Sequence, residues 1–320
     1  MYFRNDGVEV SLAVIVPAYK VANQIINVIE QIPSEVDEIV IVVDACPEGT
    51  AQLLKNYTFH RTIHILEHPT NTGVGGAMKT GYRKALELGV EIILKIDGDG
   101  QMDSSLIPNL VQPIILGHAD YTKGNRFYSL RHVKQMPRIR LFGNVLLSFM
   151  SKLSTGYYHV FDPTNGFTAI RASALEDMNL DAVDDRYFFE SDMLFQLNAA
   201  GMKVEDVPTP AIYGNEVSNL RVGHSVFYFL TRHLRNTSRR IAMTYFLRDF
   251  SLASIQLVAA VILGTWGFTL GIFTWFHSQR TGVPSQPGTI VLVAILSLSS
   301  LQLFLNFINY DMSLSRRSKT

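Results

Sequence analysis

The sequence predicts an α/β domain built on a mostly parallel sheet, followed by a two-helix membrane hairpin. Three observations lead there. Short apolar, β-branched runs alternate with helical patterns through the first two-thirds of the chain. Acids and glycines stand directly after those runs, and two long stretches near the end carry no charge.

The N-terminal segment, Met1 to Lys20, has no long apolar core with a small-residue cleavage site and reads as the entry to a strand, not as a signal peptide. The strand-like runs are "LAVIVPAY" (12–19), "EIVIVVDA" (38–45), "TIHILEH" (62–68) and "EIILKID" (91–97). They are short and almost uniformly apolar, as expected of parallel strands buried on both faces. Helices are expected at 22–31, 49–57, 74–88 with Gly89 as a stop, and 104–116 after the capping serines. That βαβα order predicts helices on both faces and a ligand cleft at the carboxyl ends of the strands.

Composition narrows the partners. The chain holds 28 basic and 28 acidic residues, so no net charge points to nucleic acid. The single cysteine, Cys46, excludes an internal disulfide framework and fits a reducing compartment. Residues 251–276 and 289–310 carry no charged side chain. As helices they would reach roughly 39 and 33 Å, enough for a hydrocarbon core of about 30 Å. The stretch between them, "HSQRTGVPSQPG", holds one arginine, Arg280. Arg232, Arg235, Arg239, Arg240 and Arg248 precede the first span, and Arg316, Arg317 and Lys319 follow the second. The positive-inside rule then places both ends, and the large N-terminal domain, in the cytoplasm of an inner (plasma) membrane protein that crosses twice.

The segment "KIDGDGQMD" (95–103) puts two acids two residues apart just after a buried run. On extended backbone Asp97 and Asp99 would point to one side and repel each other unless a cation stood between them. Gly98 and Gly100 allow close backbone approach, and Gln101 adds a neutral oxygen. Hard oxygen ligands favour Mg²⁺ or Mn²⁺. The alternative is a solvated acidic turn.

The order "VIVPAY", Asp44, "NTGVGGAMKTG" (71–81), "DGDGQ" and "GNRF" (124–127) resembles family 2 glycosyltransferases of the GT-A fold. With two C-terminal spans, it resembles their polyprenyl-phosphate branch, the relatives of dolichol-phosphate mannose synthase. The resemblance implies that Asp97, Asp99 and Gln101 hold the divalent ion that grips the diphosphate of a nucleotide-sugar. It also implies that Pro17, Ala18, Tyr19 and Asp44 line the base and ribose pocket of a UDP- or GDP-linked donor. Asn71, Gly75, Lys79 and Gly98 belong to the same donor side, with tight helix-on-sheet packing as the other reading of the glycines. The chain departs from the family at Lys20-Val21, where Asn-Glu is common, and at Ala45, where a second acid is common.

On the acceptor side Asn125 stands where the family commonly has serine before the arginine, here Arg126. Downstream, Phe142, Val145, Leu146, Phe149, Met150 and Leu153 recur at helical spacing behind Arg138 and Arg140. This amphipathic helix is read as lying at the bilayer surface, with Arg126, Arg138 and Arg140 binding a lipid phosphate; packing against a core is the alternative. Residues 224–250 read as a second interfacial stretch. Asp162 in "FDPTNGF", and Glu190 and Asp192 in "YFFESDMLFQL", are the acceptor-side acids, joining Asp99 as candidate catalytic residues. The domains implied are a catalytic domain over 1–223, juxtamembrane helices over 224–250, and a hairpin with a short tail over 251–320.

The implied activity is inverting transfer of a sugar from a nucleotide-sugar to a polyprenyl phosphate. Such a phosphate is already largely dianionic, so no strong base is needed. A sugar-hydroxyl acceptor on a lipid-linked glycan or polysaccharide is the alternative, and it would need Asp192 or Glu190 as base. A catalytically inactive scaffold subunit would have no need of the aspartate pair. No Gln-x-x-Arg-Trp motif of a processive synthase is present. Self-association as a homo-oligomer is left open by the sequence.

Overall fold

The structure is a computed structural model that describes residues 2–3, 7, 9–128, 138–210 and 222–317. It forms two compact units, residues 1–237 and 238–318.

The first unit is built on a seven-stranded sheet: β1 (Leu12–Ala18), β2 (Glu38–Asp44), β3 (Ile63–His68), β4 (Ile92–Lys95), β5 (Tyr121–Asn125), β6 (Thr168–Arg171) and β7 (Val204–Pro208), in the spatial order β3-β2-β1-β4-β6-β5-β7. All neighbouring pairs are parallel except those made by β6, which runs antiparallel to both β4 and β5. Strand alternation divides the core. Leu12, Val14 and Val16 face one apolar layer with Ile25, Ile29, Leu110 and Ile114, while Ala13 and Ile15 face the other with Met78, Tyr82, Met193 and Leu194. The helices that cover the sheet include α1 (Ile25–Glu30), α2 (Thr50–Asn56), α3 (Val74–Glu87) and α4 (Ile107–Ile115). These follow the expected positions within a few residues, and a 3-10 turn at Ser104–Leu106 begins the expected 104–116 helix.

α5 (Arg138–Thr155) is amphipathic in an inverted sense. Ser148, Ser151, Ser154 and Thr155 are buried, whereas Val145, Leu146 and Phe149 are 46–58% exposed. A core helix would do the opposite, so Val145, Leu146 and Phe149 are not a face packed on the core, while Met150 and Leu153 are half-buried. After α6 (Ala172–Glu176) and α7 (Phe189–Ala199), α8 (Val222–Ala242) repeats the pattern. It buries His233, Asn236 and Arg240 together with Phe229, and exposes Phe227, Leu230 and Leu234.

In the second unit α9 (Leu252–Thr281) and α10 (Pro287–Arg317) pair as a hairpin. Both are long and apolar enough to cross a membrane, and only 11% and 6% of their most apolar windows are buried within the protein. A seam of small residues joins them. A Cβ on Gly264 would lie 2.6 Å from Ser300 Oγ and one on Gly267 3.1 Å from Leu296 Cβ, and Ser300 Oγ donates to the Ala260 carbonyl at 2.8 Å. Such seams let helices approach where solvent supplies no hydrophobic drive. At the foot of the hairpin Arg240 makes a two-point ion pair with buried Asp311, which also accepts from Tyr245 Oη. α9 continues through Arg280, so the expected 277–288 loop shrinks to residues 282–286.

Candidate active site

The parallel strands deliver their C-terminal ends to one edge, and a cleft of about 660 Å³ opens there. Pro17, Ala18 and Tyr19 after β1, Asp44 at the end of β2, Asn71, and Asp97, Gly98 and Asp99 after β4 all line it. A second, smaller cleft of about 100 Å³ is lined by Asp97, Asp99, Gln101, Arg126, Asn165 and Thr209, among others. The aspartate pair is therefore the wall common to both.

Extended backbone does not create that pair. β4 ends at Lys95, and residues 98–100 form a turn in which Asp99 Oδ1 accepts from Gln101 N at 3.0 Å. Convergence of the two acids thus comes from the turn, with Gly100 at φ 76°, and not from strand alternation. The turn is anchored from below by Lys95, whose side chain is 1% exposed. Its Nζ lies 2.9 Å from Asp97 Oδ1 and 3.1 Å from Glu190 Oε1. Burial alone would strip the Lys95 proton, but Asp97 and Glu190 outweigh it and hold the ammonium well above its ordinary range. Gly166 makes room for this ion triad: a Cβ there would stand 2.2 Å from Lys95 Nζ and 2.8 Å from Asp97 Oδ2.

Asp44 is almost fully buried and saturated. It accepts from Thr72 N (2.8 Å), Thr72 Oγ1 (2.9 Å) and Gly73 N (2.7 Å), and pairs with His68 Nδ1 at 2.8 Å. Burial pushes its carboxyl up, but those bonds outweigh it and the net shift is downward. Its structural work is to fold the 71–73 loop over the cleft. Lys20 and Ala45, the residues after Tyr19 and Asp44, adopt left-handed backbone at φ 58° and 50°. A non-glycine residue there costs on the order of 1 kcal/mol, and such positions cluster at ligand sites. Lys20 N donates to Cys46 Sγ at 3.1 Å, tying the two strand-end turns together.

The "NTGVGG" glycines serve close backbone approach. A Cβ on Gly75 would sit 2.1 Å from the Asp184 carbonyl oxygen, and one on Gly73 2.6 Å from that of Asp185. Lys79 turns the same way: its Nζ bonds Asp185 Oδ1 at 2.8 Å and the Asp181 carbonyl at 3.2 Å. Neither Gly75 nor Lys79 lines the large cleft.

The acceptor-side residues divide similarly. Arg126 grips Asp162 with two bonds of 2.7 Å, from Nε and Nη2. Asp162 is 1% exposed, stands at φ 55°, and its carbonyl accepts from buried Lys123 Nζ. Burial would raise its carboxyl, but the Arg126 bonds and the Lys123 charge bring it below the usual range. Asp192 accepts from Asp184 N (3.0 Å) and Asn236 Nδ2 (2.7 Å), and burial pushes it up. Among the described residues lining the two clefts, neither Glu190 nor Asp192 appears. Arg138 and Arg140 open α5, and their side chains lie outside the described residues.

Sequence reasoning missed Lys95, Gly166, Thr209 and Arg186. A lysine inside an apolar strand is the signal for the first, since a buried ammonium needs partners. Thr209 Oγ1 is buried against the small cleft with no hydrogen-bond partner among the described residues. Arg186 also lines the large cleft, packed against Gly73.

The donor set fits a hard divalent ion. Asp97, Asp99 and Gln101 offer oxygen ligands beside the small cleft, whereas among the described residues no group of three or more His, Cys, Asp or Glu is placed to hold a metal ion by itself. The protein's share would be a partial shell, as for Mg²⁺ or Mn²⁺ that share ligands with phosphates.

Residues 13–178 match the family model described as Glycosyl transferase family 2. The UDP-N-acetylglucosamine--dolichyl-phosphate N-acetylglucosaminyltransferase of Methanococcus voltae is 32% identical over 234 residues, 68% of this chain and 93% of its own length. The undecaprenyl-phosphate mannosyltransferase of Micrococcus luteus is 28% identical over 173 residues, 53% of this chain and 70% of its own. Among solved structures, glucosyl-3-phosphoglycerate synthase from Mycobacterium tuberculosis, in complex with Mn²⁺, UDP-glucose and phosphoglyceric acid, superposes with a TM-score of 0.54 at 16% identity, covering 71% of this chain and 80% of that one. That likeness speaks for the fold alone, a GT-A-type mixed sheet covered by helices. The chain belongs to glycosyl transferase family 2 and is a glycosyltransferase.

Proposed function

We propose that the chain is a membrane-bound, inverting glycosyltransferase that moves a sugar from a UDP- or GDP-sugar to a polyprenyl phosphate, with its catalytic domain cytoplasmic and its hairpin crossing the bilayer twice. The names of the Methanococcus and Micrococcus relatives, both transferases to polyprenyl phosphates, support the acceptor. The observation that carries the reading is the state of the acids. Glu190 is paired with Lys95, Asp192 is enclosed by Asp184 N and Asn236, and Asp162 is paired with Arg126. A hydroxyl acceptor would need one of them as base, whereas an ionised phosphate needs none.

The donor would occupy the large cleft, its base and ribose near Tyr19, Asp44 and Asn71 and its diphosphate near Asp97 and Asp99. A divalent ion on Asp97, Asp99 and Gln101 would neutralise charge developing on the leaving diphosphate. The acceptor phosphate would enter the small cleft, where Arg126 supplies a cation and Thr209 an unused hydroxyl, with Arg138 and Arg140 at the head of α5 as further cations. A phosphate oxygen forms the new bond to the anomeric carbon as the carbon–oxygen bond to the nucleoside diphosphate breaks on the opposite face. The exposed apolar faces of α5 and α8 would lie in the bilayer surface, where the lipid is.

The test is incubation of the full chain in detergent with Mn²⁺ or Mg²⁺, UDP- and GDP-sugars and polyprenyl phosphate, followed by mass spectrometry of the lipid. Polyprenyl phosphate heavier by one glycosyl residue, its phosphate now a phosphodiester to the sugar, is expected. Transfer only to glycan hydroxyls would overturn the acceptor assignment.

A further inference from the structure

The segment from Asp181 to Tyr187 is a strap held from three sides. From α3, Lys79 Nζ bonds Asp185 Oδ1 (2.8 Å), and Gly76 N donates to the Asp185 carbonyl at 3.0 Å. From α7, Asp192 Oδ2 accepts from Asp184 N at 3.0 Å. From α8, Tyr228 Oη donates to Asp184 Oδ2 at 2.6 Å and Arg232 Nη2 lies 2.9 Å from the same oxygen. The other oxygen, Oδ1, accepts from Arg186 N at 2.9 Å. Asp184 is 9% exposed, so a single buried carboxylate fixes both the strap and the backbone of the next residue but one.

What the strap presents is Arg186. It lines the same cleft as Asp97, Asp99 and Tyr19, and it makes no ion pair among the described residues. Gly73 is built around it: a Cβ there would stand 3.0 Å from Arg186 Cγ and 3.2 Å from its Cα. Asp44, Asp97 and Asp99 in the same cleft would repel a nucleoside diphosphate, and among the described residues Lys20 and Arg186 are the cations that line it. A guanidinium is the group suited to take two phosphate oxygens at once.

We propose that Arg186 binds the diphosphate of the donor in the cleft it shares with Asp97 and Asp99, and that Asp184 is the positioning residue that aims it, by tying the strap to α8. This rests on the nucleotide-sugar reading given above. Lys79, Gly73 and Gly75 then serve the donor indirectly, as the bed on which the strap lies.

The experiment is equilibrium binding of UDP and of GDP, each with Mn²⁺, to the full chain in detergent, with donor and lipid kinetics alongside. Arg186→Ala should weaken the preferred diphosphate at least tenfold, Arg186→Lys should recover part of that loss, and the apparent KM for polyprenyl phosphate should stay within twofold. Asp184→Asn should raise the donor KM severalfold with kcat and the lipid KM nearly unchanged. Equal diphosphate affinity of the unmodified chain and Arg186→Ala would overturn the inference. A Asp184→Asn enzyme that loses kcat and both KM values together would overturn the positioning role. Failure of the unmodified chain to bind either nucleotide would instead sink the nucleotide-sugar reading itself.

Discussion

Lys95→Met tests whether the metal-side acids are held by the buried lysine beneath them. Methionine keeps the length and apolar stem of the side chain and deletes only its charge. Glu190, with its side chain 12% exposed, would lose its ion partner at 3.1 Å; Asp97, at 33%, can recruit water from the cleft. Breaking a buried pair by removing one partner costs about 3–5 kcal/mol, and half-open groups far less. The expected loss is therefore about 3 kcal/mol, nearly all from Glu190. For a domain of this size that corresponds to a fall in Tm of roughly 6–12 °C, measurable by intrinsic fluorescence of the detergent-solubilised chain. Adding Glu190→Gln should restore stability, because the stranded charge is then gone. The double variant should lie well above the sum of the two single losses. Strict additivity would refute the claim that Lys95 and Glu190 act as one unit.

Three further outcomes follow from the same geometry. Gly166→Ala, which places a Cβ 2.2 Å from Lys95 Nζ, should cut transfer at least tenfold in steady-state assays while the protein still folds. Arg126→Ala should destabilise by about 3 kcal/mol as well as impair acceptor use, because it strands a carboxylate that is 1% exposed; Arg126→Ala with Asp162→Ala should regain part of that stability in a melting assay. His233, buried between Ser154 and Phe188, has its pKa pushed down to about 4. A depressed histidine contributes stability that is complete above its unfolded pKa, about 6.5, and is lost as pH falls from there toward 4. At most about 3 kcal/mol is at stake. Melting temperature should drop across that window, and His233→Gln should flatten the profile.

Much of the sheet was legible because parallel strands buried on both faces leave uninterrupted apolar runs, and the first four fall within a few residues of their expected places. The direction of β6 (Thr168–Arg171) was not legible, since a reversal of direction leaves no periodic trace. Asp44 and Asp97 were visible because the carboxyl ends of buried strands in a doubly wound sheet open on the cleft, whereas Tyr19 and Asn71 were named through the family resemblance; all four line it. Gly75 follows the packing reading of the glycines, and Gly75 and Lys79 meet the strap 109 and 106 positions later, at Asp184 and Asp185, while Asp192 bonds Asp184 N and Asn236. No local pattern announces such long-range packing. Arg186 was missed for the same reason: only the tertiary fold carries the strap to the strand ends.

The two inverted helices bring the strap and the membrane into one argument. Periodicity shows that a stripe exists on α5 and α8 but not which way it faces, and the burial of serines and of His233 and Asn236 decides it. A polar face turned inward must find hydrogen-bond partners, since a bare buried polar group costs about 1–3 kcal/mol. On α8 those partners are Asp184 and Asp192, reached by Tyr228, Arg232 and Asn236. The requirement that lets the apolar face remain outward is thus the same one that fixes the strap. Polar substitution of Leu230 and Leu234, both exposed, should therefore release the protein's juxtamembrane helix from liposomes without unfolding the catalytic domain. If Leu230→Asn with Leu234→Asn instead lowered the domain's Tm by many degrees, the stripe would be a packing face after all, and the bilayer assignment of α8 would fall.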